Sequence, residues 1–240
     1  MSTSHEPLLL ISGAGLPEWI WHDTRRALSD EHDTRVAARP ASATTARLRD
    51  YAEAALRSAP AGRFAIVAHS SGGVIGAEVA RLAPDRVSAF LAVTAVIPKP
   101  GGSFISAMPL PNRWLLGVAM RLAGTRPPDA AIRRGIADGL DEPTTARIIA
   151  DFAPESPGLY RDATARAAAR TALDGPRGYV VTSRDRELPP QLQRTFARRL
   201  DAAWTDELGT GHLPMLEDAT ALARSITRFL ASIDTLTTRA

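Results

Sequence analysis

The chain has 240 residues, 45% of them hydrophobic, which suits one domain with a full core. It has no cysteine, which excludes a disulfide framework, a thiol nucleophile and any Cys-based metal site. The formal net charge is only +3 although the sequence pI is about 9.9. The arginines are scattered among acidic residues. Pairs such as Arg25-Arg26, Arg133-Arg134 and Arg198-Arg199 read as solvated helix faces rather than a nucleic-acid footprint. The first ten residues lack a basic region, and no apolar run reaches ~18 residues. The expectation is a cytoplasmic protein with no membrane partner.

In chain order, Leu8 to Ile11 is a continuous apolar run, the mark of a buried strand. Ser12-Gly13-Ala14-Gly15-Leu16 is a turn of small residues. A helix is predicted from about Pro17 to Ser29, a weak strand over Thr34 to Ala38, and a helix over Thr44 to Ala59. Phe64 to Val67 is a second buried strand. Val87 to Val96 is another, after an apolar helical pattern from Val74 that stops before Pro84. Alternating strands and helices predict a parallel sheet with helices on both faces.

The pattern changes at Pro98. Pro98, Pro100 and Gly101-Gly102 mark an exit from the sheet, and no convincing strand follows before about Leu173. The reading is a helical cap over 98–173, inserted into a core made of 1–97 and 174–240. Phe104, Ile105, Met108, Leu110, Trp114, Leu115 and Leu116 are expected as cap core or pocket lining. The sheet resumes at Gly178 to Thr182. A loop over Ser183 to Leu188, a helix to Leu200, a strand over Ala202 to Leu208 and the turn Gly209 to His212 follow. A helix over about Asp218 to Ile233 is the last element, and Asp234 to Ala240 are expected to fray. The fold class is therefore α/β, a doubly wound, mostly parallel sheet with an inserted helical cap.

The chemistry centres on Arg63 to Gly76, RFAIVAHSSGGVIG. A strand, a sharp turn of small residues and a helix, with a serine at the apex, is the arrangement of a nucleophile elbow. Small residues are needed because the strand and helix backbones pass close to the strained apex. Ser70 fits that apex, with Ala68 and Gly72 two residues to either side. Ser71 is the other possibility, but it would put His69 in the cramped position. The alternative is an ordinary Gly-rich turn. It lacks the GxxxxGK[ST] and GxGxxG patterns of nucleotide loops.

An elbow predicts its partners in the order serine, acid, histidine, each in a loop after a strand. Asp185 follows the Tyr179–Thr182 strand and His212 follows the last strand. Asp206 and Glu207 lie within that strand and are poorer candidates. His5, His22, His32 and His69 do not follow a late strand. Serine needs a histidine to take its proton, and the histidine needs a carboxylate to fix its tautomer. An oxyanion needs two backbone N–H donors, for which Ser71 and Ala14 are the candidates.

The pieces LLLISGAGLPEWIW, IVAHSSGG, YVVTSRDRELPPQLQR and TGHLPMLEDATAL, in this order, resemble the α/β-hydrolase family. Within it they are similar to the small methylesterase and hydroxynitrile-lyase-like branch. The resemblance implies Ser70 as nucleophile, Asp185 as acid, His212 as base, Ala14 and Ser71 as oxyanion donors, and no cofactor. It departs at Ser12, where the family usually has a histidine that supports the oxyanion loop. It departs again at Leu213, where the lyases carry a lysine, so cyanohydrin chemistry is disfavoured.

The expected function is hydrolysis of a carboxylic ester, thioester or lactone through an acyl-enzyme. A non-hydrolytic cyclase, lyase or acyltransferase on the same scaffold is the alternative, and a non-catalytic binding protein is a third. The expected partner is a small molecule with an apolar acyl or alkyl part.

Overall fold

The computed structural model describes residues 6–42, 44–110, 112–164 and 175–237. Six strands form one parallel sheet: β1 (Leu8–Ile11), β2 (Thr34–Val36), β3 (Phe64–His69), β4 (Val87–Val93), β5 (Arg177–Thr182) and β6 (Trp204–Leu208). Their order across the sheet is β2-β1-β3-β4-β5-β6. β1 and β3 are buried along their whole length because both faces of the sheet are covered. Leu9, Ile11, Ile66, Phe90 and Val181 pack to one side; Leu8, Leu10, Val67, Leu91 and Val180 pack to the other. That alternation is the two-residue period of a strand with a core on each face.

Helices α1 (His22–Leu28), α2 (Leu48–Ser58) and α3 (Gly72–Leu82) accompany the first four strands. Between β4 and β5 lie α4 (Phe104–Ala107), α5 (Asn112–Ala123), α6 (Asp129–Arg134), α7 (Glu142–Asp151) and α8 (Pro157–Arg161). α9 (Pro190–Leu200), α10 (Pro214–Glu217) and α11 (Ala219–Thr237) complete the chain. α1 packs on α11 under one face of the sheet, and α2 packs on α3 over the other. The strand order turns back between β1 and β3, and loops at the carboxyl ends of strands near such a switch form the ligand crevice of open α/β sheets.

The described part of the expected cap, 98–164, holds α4 to α8 and no strand; 165–173 lie outside the described residues. Several element bounds differ from expectation. The helix foreseen over 44–59 begins at Leu48, where Asp50 Oδ2 accepts from Arg47 N (2.7 Å) and Asp162 Oδ2 accepts from Leu48 N (3.0 Å). β2 ends at Val36. β4 stops at Val93 because Thr94 turns to φ +39°. β6 starts at Trp204, since Asp201 takes the left-handed cap of α9 at φ +56°. The segment 17–29 divides into a 3-10 turn, Glu18–Trp21, and α1. α11 continues through Thr237, past the expected end at about Ile233, and 238–240 lie outside the described residues. Phe104, Ile105, Met108 and Leu116 are half-buried against the core, but Leu110, Trp114 and Leu115 are exposed and so are not cap core.

Candidate active site

The turn at Ser70 is built by close backbone approach. Ser70 sits between β3 and α3 at φ +54°, a costly conformation for a side-chain-bearing residue. Its carbonyl accepts from Val96 N (2.9 Å) and Gly73 N (3.1 Å), which pins the strained residue from two sides. A Cβ on Gly72 would lie 2.5 Å from the Ile11 carbonyl oxygen, and one on Gly73 would lie 2.6 Å from that of Val96. A Cβ on Gly13 would lie 2.8 Å from the Ser70 Cβ, so the loop after β1 passes directly against the serine. Ser71 is the residue before α3. Its side chain is buried and its Oγ has no hydrogen-bond partner among the described residues.

Ser70, His212 and Asp185 lie in one line of hydrogen bonds. His212 Nε2 is 3.1 Å from Ser70 Oγ, and His212 Nδ1 is 2.8 Å from Asp185 Oδ2. With the imidazole neutral, Nδ1–H donates to the carboxylate and Nε2 is left to accept from the serine. Asp185 is buried yet fully satisfied. Thr94 Oγ1 (2.7 Å), Thr182 Oγ1 (3.1 Å) and Gln193 Nε2 (3.2 Å) donate to Oδ2, while Glu187 N (2.8 Å) and Leu188 N (2.9 Å) donate to Oδ1. Burial alone would raise its pKa. The charge of His212 and these hydrogen bonds outweigh it and bring the carboxyl down to about 2. For His212, burial favours the neutral ring, but the Asp185 charge and hydrogen bond reverse this and raise its pKa.

The loop after β1 is held through the backbone N–H and C=O groups of Gly13, Gly15 and Leu16. Gly13 N donates to His69 Nδ1 (3.3 Å), Gly15 N donates to Glu155 Oε1 (2.9 Å), and Leu16 N donates to Gly13 O (3.3 Å). Arg39 Nη2 donates to the carbonyls of Gly13 (3.0 Å) and Leu16 (2.8 Å), and Ala153 N donates to that of Gly15 (3.0 Å). The N–H groups of Ala14 and Ser71 make no hydrogen bond among the described residues. Arg39 also forms an ion pair with Glu155, whose other oxygen accepts from Tyr51 OH (2.8 Å). Glu155 comes from the segment between β4 and β5, so that segment grips the loop. Gly15, at φ +73°, has the Phe152 ring where a side chain would go.

His69 braces both sides of this arrangement. Its Nε2 donates to His212 O (2.8 Å) while Nδ1 accepts from Gly13. Burial, aided by the neighbouring His212, lowers its pKa to about 3, so the ring is neutral and the two bonds fix its tautomer. A histidine at position 12 is what the resemblance expects as support for the loop. Here Ser12 Oγ accepts from Trp21 Nε1 (2.9 Å) instead, and His69 supplies the support.

This has a pH consequence. In the unfolded chain His69 takes up a proton as pH falls through its ordinary value near 6.5, while the folded chain refuses it down to about 3. Its stabilising contribution is present above pH 6.5 and is lost progressively below. Melting temperature should therefore fall more steeply between pH 6.5 and 4 in the wild type than in His69→Gln. Parallel curves for the two proteins would contradict the assignment.

Thr94, Gln193, His69, Arg39 and Glu155 were not singled out by sequence as parts of this network. Only Thr94 carries a signal, its place at the end of a strand facing the Asp185 loop. Among the described residues no group of His, Asp and Glu is arranged to hold a metal ion. No helix among them is long and apolar enough to cross a membrane.

An elbow serine on a parallel sheet, with an acid and a histidine from later loops, is an α/β-hydrolase arrangement. The sequence profile of the Alpha/beta hydrolase family matches residues 8–225, and the chain belongs to that family. No curated protein matches the sequence. Among solved structures it is similar to an extracellular alpha/beta-hydrolase from a Paenibacillus species, described as homologous to tobacco salicylic acid binding protein 2. The TM-score there is 0.80 at 16% identity, over 93% of this chain and 98% of that one. Polyneuridine aldehyde esterase is similar with TM-score 0.75 and 17% identity, over 94% and 99% of the two chains. Tomato methylketone synthase I, complexed with 2-tridecanone, has TM-score 0.76 and 13% identity, over 95% and 98%. At such identities the likeness is one of fold.

Proposed function

We propose that the protein is a serine hydrolase of carboxylic esters, with Ser70 as nucleophile, His212 as general base and Asp185 as its orienting acid. The observation that carries this reading is the hydrogen-bonded line Ser70–His212–Asp185 with the serine at φ +54°. Ser70 Oγ attacks the ester carbonyl carbon as His212 Nε2 takes its proton. The carbonyl oxygen becomes an oxyanion, and the free N–H groups of Ala14 and Ser71 are its proposed donors. The C–O bond to the alcohol then breaks, His212 returns the proton to the leaving alcohol, and an acyl-serine remains. Water, deprotonated by His212, repeats the cycle and releases the acid.

Polyneuridine aldehyde esterase among the fold neighbours, and apolar residues in the segment between β4 and β5, support the substrate class. A small or medium ester with an apolar acyl or alkyl part fits both.

A fluorophosphonate probe tests the reading. It should form a single adduct, mapped to Ser70 by peptide mass spectrometry. Ser70→Ala should abolish labelling. Ser71→Ala should keep it, because a backbone donor survives side-chain truncation, and should not lower stability, since the lost hydroxyl is buried without a partner. An adduct on Ser71, or none on folded protein, would sink the proposal.

A further inference from the structure

Among the described residues every exposed large hydrophobic side chain lies in one place. Leu110, Trp114, Leu115, Val118 and Leu122 are 74, 71, 58, 40 and 82% exposed. The last four belong to α5, and positions 114, 118 and 122, with 115 beside them, form one stripe along the helix. Its opposite face is also apolar: Met120 is buried and Leu116 half-buried against the core cluster that includes Ile75 and Ile97. One exposed leucine is ordinary, but a contiguous patch of this kind marks an interaction surface.

Charge selects the partner. From residue 96 to 128 the chain has Lys99, Arg113, Arg121 and Arg126 and no Asp or Glu. Those four residues exceed the whole formal net charge of +3. Arg113 and Arg121, both on α5, are exposed and make no ion pair among the described residues. Arginine stems can lie along an apolar surface while their heads reach anionic groups. A short helix with Trp and Leu facing outward and cations beside them has the composition of a helix that lies in a membrane interface. A second copy of the chain fits this face less well, because pairing α5 with itself gathers four arginines and no acid.

We propose that the outer face of α5 seats this protein on an anionic lipid surface, with the helix lying in the interface plane. The sequence expectation of no membrane partner rests on the lack of a spanning segment, and an interfacial helix needs none. The proposal goes beyond the ester-hydrolase reading and does not depend on it.

The test is flotation of the full chain with vesicles of phosphatidylcholine alone and of phosphatidylcholine mixed with phosphatidylglycerol. The anionic vesicles should bind at least ~10-fold more protein at low salt, and the excess should fall as salt screens it. The Leu115→Ser/Leu122→Ser double variant should lose at least ~10-fold of that binding, since two leucines no longer enter the interface. Its fluorophosphonate labelling and melting should be unchanged. If the double variant does not fold, Arg113→Glu/Arg121→Glu changes only exposed side chains and should reduce anionic-vesicle binding by at least ~10-fold. Three results would overturn the proposal. One is no binding to either vesicle. Another is anionic binding that both variants retain. The third is a concentration-dependent dimer in ultracentrifugation that Leu115→Ser/Leu122→Ser converts to monomer.

Discussion

Replacing His212 by Ala should lower kcat for p-nitrophenyl butyrate by at least about 10³-fold, with a much smaller change in KM. The loss is large because the three groups act as a unit. Without the imidazole, Ser70 keeps its hydroxyl proton and stays a weak nucleophile, and Asp185 has no ring to orient. The expected change is confined to chemistry, because the role proposed for the ring is proton transfer rather than substrate binding. The variant also leaves the Asp185 carboxylate buried, though Thr94, Thr182 and two backbone N–H groups still donate to it, so the protein should fold. Steady-state kinetics on purified variant, checked by melting, decides the matter. Turnover equal to wild type would place the base elsewhere.

Arg39→Met should be strongly destabilising. The Glu155 side chain is only 2% exposed, while Arg39 is 30% exposed, so the penalty falls on the glutamate left behind. Breaking a buried pair by removing one partner costs about 3–5 kcal/mol, because the remaining charge stays desolvated. For a chain of this size that is a drop of roughly 6–20 °C in melting temperature. Gly15 N and Tyr51 OH still donate to Glu155, which puts the expected loss toward the lower end. The variant also removes the side-chain donor from the carbonyls of Gly13 and Leu16, so the loop carrying Ala14 loses its clamp and kcat should fall alongside stability. Arg39→Lys keeps the charge but not the two-carbonyl grip, and should recover part of the stability. Differential scanning calorimetry that shows no change for Arg39→Met would mean the pair contributes nothing net.

The fold class and the three candidate residues were legible because their signals are local. A buried parallel strand is a short apolar run, and a tight strand-to-helix turn needs small residues wherever it occurs. Asp185 and His212 were found by chain order and by lying after strands, without any knowledge of the contacts they make. Element ends were less legible, because they depend on partners from elsewhere. α2 starts where Asp162, over a hundred residues away, meets Leu48 N, and β4 ends where Thr94 turns to reach Asp185.

What the sequence by itself determined is the alternation of strands and helices, the apex at Ser70 and the order in which its partners follow. Tertiary structure alone decided how the loop after β1 is held. Arg39 and Glu155 lie far apart in sequence on segments with no shared pattern. His69 reads as a small-turn neighbour until the His212 carbonyl and the Gly13 N–H are seen against it. Tertiary structure also decided which apolar residues of the inserted segment are buried. Helical spacing shows that α5 has apolar positions all round, but only its packing shows that Met120 faces the core and Trp114 faces out. Periodicity reports what a local backbone repeats, whereas burial and long-range hydrogen bonds depend on which distant segment arrives beside it.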